Sequence, residues 1–392
     1  CFAFAVLPMV ASALAEGDET LVRRVTRMGL WLSAIYGAAV MPPLIWSGPV
    51  LLALGQEPET AAMAEDYLEI AAWGMIPGLA VMVLKNCLAA LERTPAVLWI
   101  TVVAAVLNAG LNYLLIFGNF GFPELGIAGA AVASVAIQIA SLALLALYVA
   151  RVAPEHAMFQ RLWRGDAEAF GRVFRLGWPI GLTNLAESGL FSAASLMMGW
   201  IGAQTLAAHG VALQLASITF MVHLGLSQAA TVRAGYAMGR RDAAALRRGA
   251  RVAVALSAGF AALTIVLYLT VPEVLIGLFI DPGDPERPAI LAIGATLLAV
   301  AALFQLVDGA QVVSLGLLRG LHDTRMPMIY AAVSYWGAGV PASYAMGFVL
   351  GWGGAGVWLG LVVGLALAAG LLLLRFRRQA ATRFPVAGTG PH

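Results

Sequence analysis

The sequence has a single lysine, Lys85, two cysteines, Cys1 and Cys87, and only 11% charged residues over 392 positions. Two cysteines build neither a disulfide framework nor a metal cluster. There is no His-Glu-x-x-His, no Gly-x-Ser-x-Gly, no Walker loop and no metal-spaced Cys/His set. Those gaps disfavour an enzyme and an ATP-driven pump, and leave an ion gradient as the natural energy source. No basic run beyond the loop arginines points to nucleic acid. The chain opens on Cys1 in an apolar segment without Met or a charged leader. That start is not a signal peptide and reads as a fragment missing its beginning.

Apolar residues make up 61% of the chain and the mean hydropathy is +0.87. A soluble protein cannot hide that much apolar surface, so the class is an all-α polytopic membrane protein. Eleven runs are long enough to cross roughly 30 Å of hydrocarbon. They lie near 1–15 (partial), 28–50, 67–91, 95–118, 125–150, 173–200, 205–235, 250–272, 289–318, 327–349 and 353–374. Apart from Arg287, all Lys and Arg fall in alternate connections, while the intervening loops are short and acidic or neutral. The positive-inside rule then expects a cytoplasmic C-terminus in an inner membrane.

A repeat organises the chain. Asp18, Arg23, Arg24 and Arg27 match Asp242, Arg247, Arg248 and Arg251 at a constant offset, and Glu57-Pro58 matches Asp281-Pro282 at the same offset. Leu91–Pro95 is similar to Leu321–Pro327, and Gly121–Gly126 to Gly351–Gly356. Two homologous halves of equal orientation imply two six-helix lobes related by a pseudo-two-fold along the membrane normal, with the first helix missing here. The expected parts are an N-terminal lobe at 1–150 (helices two to six), a cytoplasmic connection at 151–172, a C-terminal lobe at 173–378 (helices seven to twelve) and a cytoplasmic tail at 379–392. Gly356, Gly360 and Gly364 form a small-residue face expected to serve helix packing.

Sorting the acids leaves only Glu187 and Asp308 at membrane depth. Gln305, Asp308 and Gln311 recur every three residues and form one polar stripe. Glu187 shares a face with Asn184, Ser188, Phe191 and Ser195. A charge at that depth costs at least ~2.5 kcal/mol and by default marks a pathway. Such carboxyls suit a proton taken up on one side and released on the other, or Na⁺ held by hard oxygen ligands. The bland reading is a hydrogen bond across a helix pair. Gln214, Gln228, Asn108 and Asn112 read first as interhelical glue, His209 and His223 as satisfied structural histidines, and Lys85 as a snorkelling cation. Arg319, Asp323 and Arg325 read as a charged cap at a membrane surface.

These residues resemble the multidrug and toxic compound extrusion (MATE) transporters, within them the NorM-like branch. Gly177–Leu182 (GWPIGL) and Glu187–Phe191 (ESGLF) resemble the family's seventh helix. Ala207–Ala212, Thr219–Met221 and Ala230–Gly235 resemble the eighth; Asp308–Gln311 with Leu318–Thr324 (LRGLHDT) resembles the tenth. Asn112–Gly118 and Leu125–Ala130 fit the fifth and sixth. The resemblance implies export of cationic amphipathic molecules against Na⁺ or H⁺ by alternating access. It assigns Glu187 and Asp308 as ion-coupling residues, and as the Na⁺ ligands if sodium is the ion. Asn184, Gln214, Phe220, Gln305 and Gln311 are the expected substrate-cavity lining. No cofactor is expected beyond the coupling ion. The expected partners are small cationic organic molecules and membrane lipid, with no nucleic acid, for a monomer. The sequence departs from the family at Gly210, where Gln is usual, and at His223, where Pro is usual. Asn112 stands where the DinF-like branch has Asp. The competing reading is a lipid-linked-precursor flippase of the same superfamily, whose cavities are usually more basic.

Overall fold

The computed structural model describes residues 2–152, 154 and 158–383. Cys1, part of the expected connection (153 and 155–157) and the tail from 384 onward lie outside the described residues. Every regular element among the described residues is helical, as an all-α membrane protein requires. Eight helices are long and apolar enough to cross a membrane: Glu19–Ile45, Pro58–Ala90, Thr94–Phe117, Gly126–Val152, Ala203–Gly239, Ala243–Thr270, Arg287–Gly320 and Gly353–Arg383. The other three expected spans are also helical but fall outside that set. They are Phe2–Glu16, Ala167–Ile201 and the segment 325–349.

The chain divides into two compact units, Cys1–Gly177 and Trp178–His392. In the first, α1 (Phe2–Glu16) packs on α2 (Glu19–Ile45) and, beyond α3 (Ser47–Ala53) and α4 (Pro58–Ala71), on α5 (Met75–Ala90). Following these, α6 (Thr94–Phe117) packs on α7 (Gly126–Val152) and has no buried residue, as befits an apolar helix facing lipid. Here α2 also grips the chain that leads into α8 (Ala167–Ile201). Arg24 ion-pairs with both Asp166 and Glu168, Arg27 donates to the Arg161 carbonyl (3.3 Å), and the Trp31 indole donates to the Leu162 carbonyl (2.7 Å).

The second unit holds most of α8, then α9 (Ala203–Gly239), α10 (Ala243–Thr270), α11 (Pro272–Gly277), α12 (Arg287–Gly320), α13 (Arg325–Ala332), α14 (Val340–Tyr344) and α15 (Gly353–Arg383). α12 is its axis, lying along α9, α10 and α15. The α9–α12 seam is close because α12 has no side chain where α9 crosses it. A Cβ at Gly316 would collide with Ser227, and one at Gly320 with Ala234. The space so gained lets Ser227 Oγ donate to the Val312 carbonyl (2.6 Å) and Thr231 Oγ1 to that of Gly316 (2.9 Å). On α15, Gly356, Gly360 and Gly364 press against Met346, Ser343 and Gly339.

The repeat has local structural counterparts. Asp18 caps α2 by accepting from the Leu21 amide (2.9 Å), and Asp242 caps α10 through the Ala245 amide (2.9 Å). Glu92 and His322, matched in the same pattern, both turn left-handed at helix ends, with φ 57° and 56°. The span expected over 327–349 is not one regular helix. π-helical stretches at Val333–Gly339 and Ala345–Val349 flank α14. Pro341 has no N–H to offer, so the hydrogen-bond ladder around it changes register.

Candidate intramembrane polar site

The site is built in the second unit from three segments: the middle of α8, the second half of α12 and the π-helical turn at Val333–Gly339. α12 contributes Gln305, Asp308 and Gln311 on one face, and Ser314 extends the stripe by the same spacing; all four are buried. The π turn sends Tyr335 toward α12 and Trp336 toward α8. Gln311 Nε2 donates to the Tyr335 hydroxyl (2.6 Å), and the Trp336 indole donates to the Ala186 carbonyl (3.1 Å), next to Glu187. Gly189 leaves room for that indole: a Cβ there would lie 2.6 Å from its ring. Glu187, half-buried on α8, comes within electrostatic reach of Arg319 and Asp308, and Tyr335 of all three.

The oxygens of this site are short of partners. Gln305 Oε1, Asp308 Oδ1, Gln311 Oε1 and Ser334 Oγ are buried without a hydrogen bond among the described residues. The amide nitrogens of both glutamines are occupied, so their geometry is fixed; Gln311 Oε1 remains open, and the Gln305 side chain also comes within reach of the His223 ring. Gln305 Nε2 donates to Thr219 Oγ1 (2.7 Å), which in turn donates to the Ala216 carbonyl (2.9 Å) and meets the Tyr268 hydroxyl (3.2 Å). A hydroxyl has one proton and two lone pairs, so Thr219 is saturated. Leaving buried acceptors empty costs about 1–3 kcal/mol each. A cluster of hard oxygens with one carboxylate beside a second is the donor chemistry that a proton, an alkali cation or an organic cation would satisfy. Among the described residues, no cluster of three His, Cys, Asp or Glu able to hold a metal is found.

The remaining expected residues fall in different places. Asn184 joins the site by accepting from the Arg319 guanidinium (3.4 Å). Phe220 is half-buried against the unit's apolar core. Gln214 lies on an exposed face of α9, and no hydrogen bond joins it to the others among the described residues. The expected surface cap at the end of α12 does not form as one group. Asp323 is buried and pairs with Arg375 of α15 (2.8 Å), and Arg319 turns toward Asn184. The sequence contained the signal for Arg319. It follows Asp308 by eleven residues, about three turns, and helical side chains lean toward the N-terminus. Tyr335 and Trp336 gave no such signal, since a π turn shifts the face on which each residue falls.

Two histidines lie close by. His209 has both ring nitrogens paired: the Trp358 indole donates to Nδ1 (3.1 Å), and Nε2 faces Ser195 Oγ (3.0 Å), whose own proton goes to the Phe191 carbonyl (3.0 Å). A nitrogen that accepts carries no proton, so this arrangement is that of a neutral imidazole donating from Nε2. His223 Nδ1 meets Ser257 Oγ (2.8 Å), and its Nε2 is buried without a partner among the described residues. The His223 ring stacks edge-on to Phe260 and fills the notch at Gly309, next to Asp308. In the first unit, Asn112 donates to Asn108 one turn away (3.0 Å), and Lys85 lines a cavity of about 450 Å³ with Tyr67 and Gln138.

The MatE family model matches residues 1–114 and 179–345. The chain belongs to the MatE family. A probable multidrug resistance protein NorM of Rhizobium meliloti is 49% identical over 379 residues, covering 96% of this chain and 81% of that protein. Its counterpart in Agrobacterium fabrum is 45% identical over 377 residues, with the same coverage. Among solved structures, an outward-facing multidrug resistance MATE family transporter of the MOP superfamily aligns with a TM-score of 0.89. It is 17% identical, and the match covers 97% of this chain and 84% of that one. A eukaryotic MATE transporter aligns at 0.82 with 16% identity, over 98% of this chain and 85% of that one. The fold is therefore that of MATE transporters, and the chain is a multi-pass membrane transporter rather than an enzyme.

Proposed function

We propose that the chain is a secondary antiporter of the inner membrane, exporting cationic amphipathic compounds in exchange for Na⁺ or H⁺ by alternating access, with its C-terminus in the cytoplasm. The observation that supports this most is Asp308: a carboxyl 2% exposed within an apolar helix, with Oδ1 unpartnered between two glutamines whose oxygens also make no hydrogen bond of good geometry among the described residues. In this reading Glu187 and Asp308 bind the coupling ion, and Gln305 and Gln311 supply neutral oxygens on either side. Asn184, Gln214 and Phe220 belong to the substrate path. Ion and organic cation would compete for the same negative oxygens, so binding of one favours release of the other. The similarity to proteins named as multidrug resistance transporters supports the substrate class. Ethidium efflux from proteoliposomes tests the reading, with a Na⁺ gradient and a pH gradient imposed separately. Acceleration by one gradient supports antiport and names the ion; identical efflux with and without either gradient overturns it.

One observation favours the flippase alternative. Arg319 brings a cation to the acids, and a phosphate headgroup would use it. When both acids are ionised, two carboxylates against one guanidinium leave the site net negative, which is the polarity for a cationic substrate.

A further inference from the structure

A second site, unrelated to the coupling residues, lies between α9 and α10 near the turn that joins them. It is a groove of about 450 Å³ with a chemical gradient along its length. At the turn end it is lined by Arg240, midway by Arg233 and Arg248, and at the other end by Leu226, Val252 and Leu256. Both walls follow helical periodicity. Leu226 and Arg233 on α9 and Arg240 at its C-terminal cap recur every seven residues, and Ala245, Arg248, Val252 and Leu256 share one face of α10. The floor is low because Ala245 and Gly249 give it no bulk. A Cβ at Gly249 would already stand 3.6 Å from the Cβ of Arg233.

The charges in the groove do not cancel. Its only acid, Asp242, is committed to capping α10. Neither Arg240 nor Arg248 forms an ion pair among the described residues. The Arg240 guanidinium is held over the Tyr236 ring, 5.7 Å from its centroid, on the groove wall. Topological bias explains arginines at this turn in general, as at Arg241 and Arg247, which do not line the groove. It does not explain why three of them line one cavity whose far end is apolar. The dimensions also fit a single molecule. From Leu226 to Arg240 the helix rises about 21 Å, and one leaflet with its headgroups is roughly 20–22 Å deep.

We infer that this groove binds an anionic glycerophospholipid, its phosphate between Arg240 and Arg248 and its acyl chain along Leu226, Val252 and Leu256. Basic pockets between membrane helices at the cytoplasmic face are the setting in which anionic headgroups are selected over zwitterionic ones. A lipid seated there bridges α9 and α10, and α9 carries Thr219 and His223 of the polar site.

The test is native mass spectrometry of the protein released from nanodiscs of phosphatidylcholine containing dioleoyl phosphatidylglycerol. The parent is expected to retain one phosphatidylglycerol in preference to phosphatidylcholine. Arg240→Gln with Arg248→Gln should lower that retention roughly tenfold or more, at about 1 kcal/mol per arginine. Gly249→Leu fills the floor with the arginines intact and should lower it as well. Arg241→Gln with Arg247→Gln removes the same charge outside the groove and should leave retention unchanged. Equal retention of the two lipids by the parent overturns the inference. So does an equal loss in the two double variants, which would reduce the effect to bulk charge.

Discussion

The Arg319 guanidinium stands 3.4 Å from the Asn184 carboxamide oxygen, and Asn184 lies one helical turn before Glu187 on α8. A cation of the protein's own is thus tethered beside Glu187, which in turn faces Asp308. Removing one member of a buried charge cluster costs about 3–5 kcal/mol, because the remaining charges lose their partner. Arg319→Ala should lower both the melting temperature and efflux, the latter by roughly tenfold or more. Arg319→Lys should restore only part of it, since an ammonium lacks the planar fork. Melting and vesicle efflux on the same preparations check this; parent-like efflux in Arg319→Ala would remove Arg319 from the site.

His209 is expected to be structural. His209→Phe leaves the Trp358 N–H without its acceptor and should cost about 1–3 kcal/mol. The pH profile of transport should keep its midpoint, because a neutral imidazole with both nitrogens occupied has no free nitrogen to take up a proton. A shifted midpoint in His209→Phe would contradict that role.

The α9–α12 seam is expected to tolerate no added volume at Gly316. What a side chain would meet there is the backbone and hydroxyl of Ser227, which cannot swing aside. Gly316→Val should destabilise by about 1–3 kcal/mol or more, read as a lower melting temperature in detergent. The same change at Gly210, where a Cβ meets open space, should have a far smaller effect.

The grip of α2 on the chain before α8 is expected to weaken in acid. The hydrogen-bonded Arg24 guanidinium holds the Asp166 carboxyl down at about 2, against the opposing effect of partial burial. A depressed carboxyl contributes stability that is complete above its unfolded value near 3.9 and is lost as pH falls through about 2. Asp166→Asn should therefore melt below the parent at pH 7 by the equivalent of about 2 kcal/mol. The gap should narrow below pH 4. A constant gap from pH 7 to 3 would contradict the assignment.

Much of this was legible in the sequence, and the reason is the solvent. In lipid, helical backbone is obligatory and charge is expensive, so apolar runs mark helices and Glu187 and Asp308 stand out unaided. The Gln305–Asp308–Gln311 stripe followed from spacing alone, and the repeat reappears in the matched caps at Asp18 and Asp242. What the sequence did not disclose depends on departures from ideal helix. The π turn around Tyr335 and Trp336 puts both against the site, although a 3.6-residue period assigns them to other faces. Asp323 and Arg319 also share a charged stretch, yet tertiary packing sends one to Arg375 and the other to Asn184.

The central claim is that Glu187 and Asp308 couple an ion gradient to export. The most direct measurement is ethidium efflux from vesicles containing the parent, Glu187→Gln or Asp308→Asn, under separately imposed Na⁺ and pH gradients. Efflux driven by one gradient in the parent and lost in both variants is the expected result. Variants as active as the parent, or efflux indifferent to either gradient, would contradict the coupling site and favour the flippase.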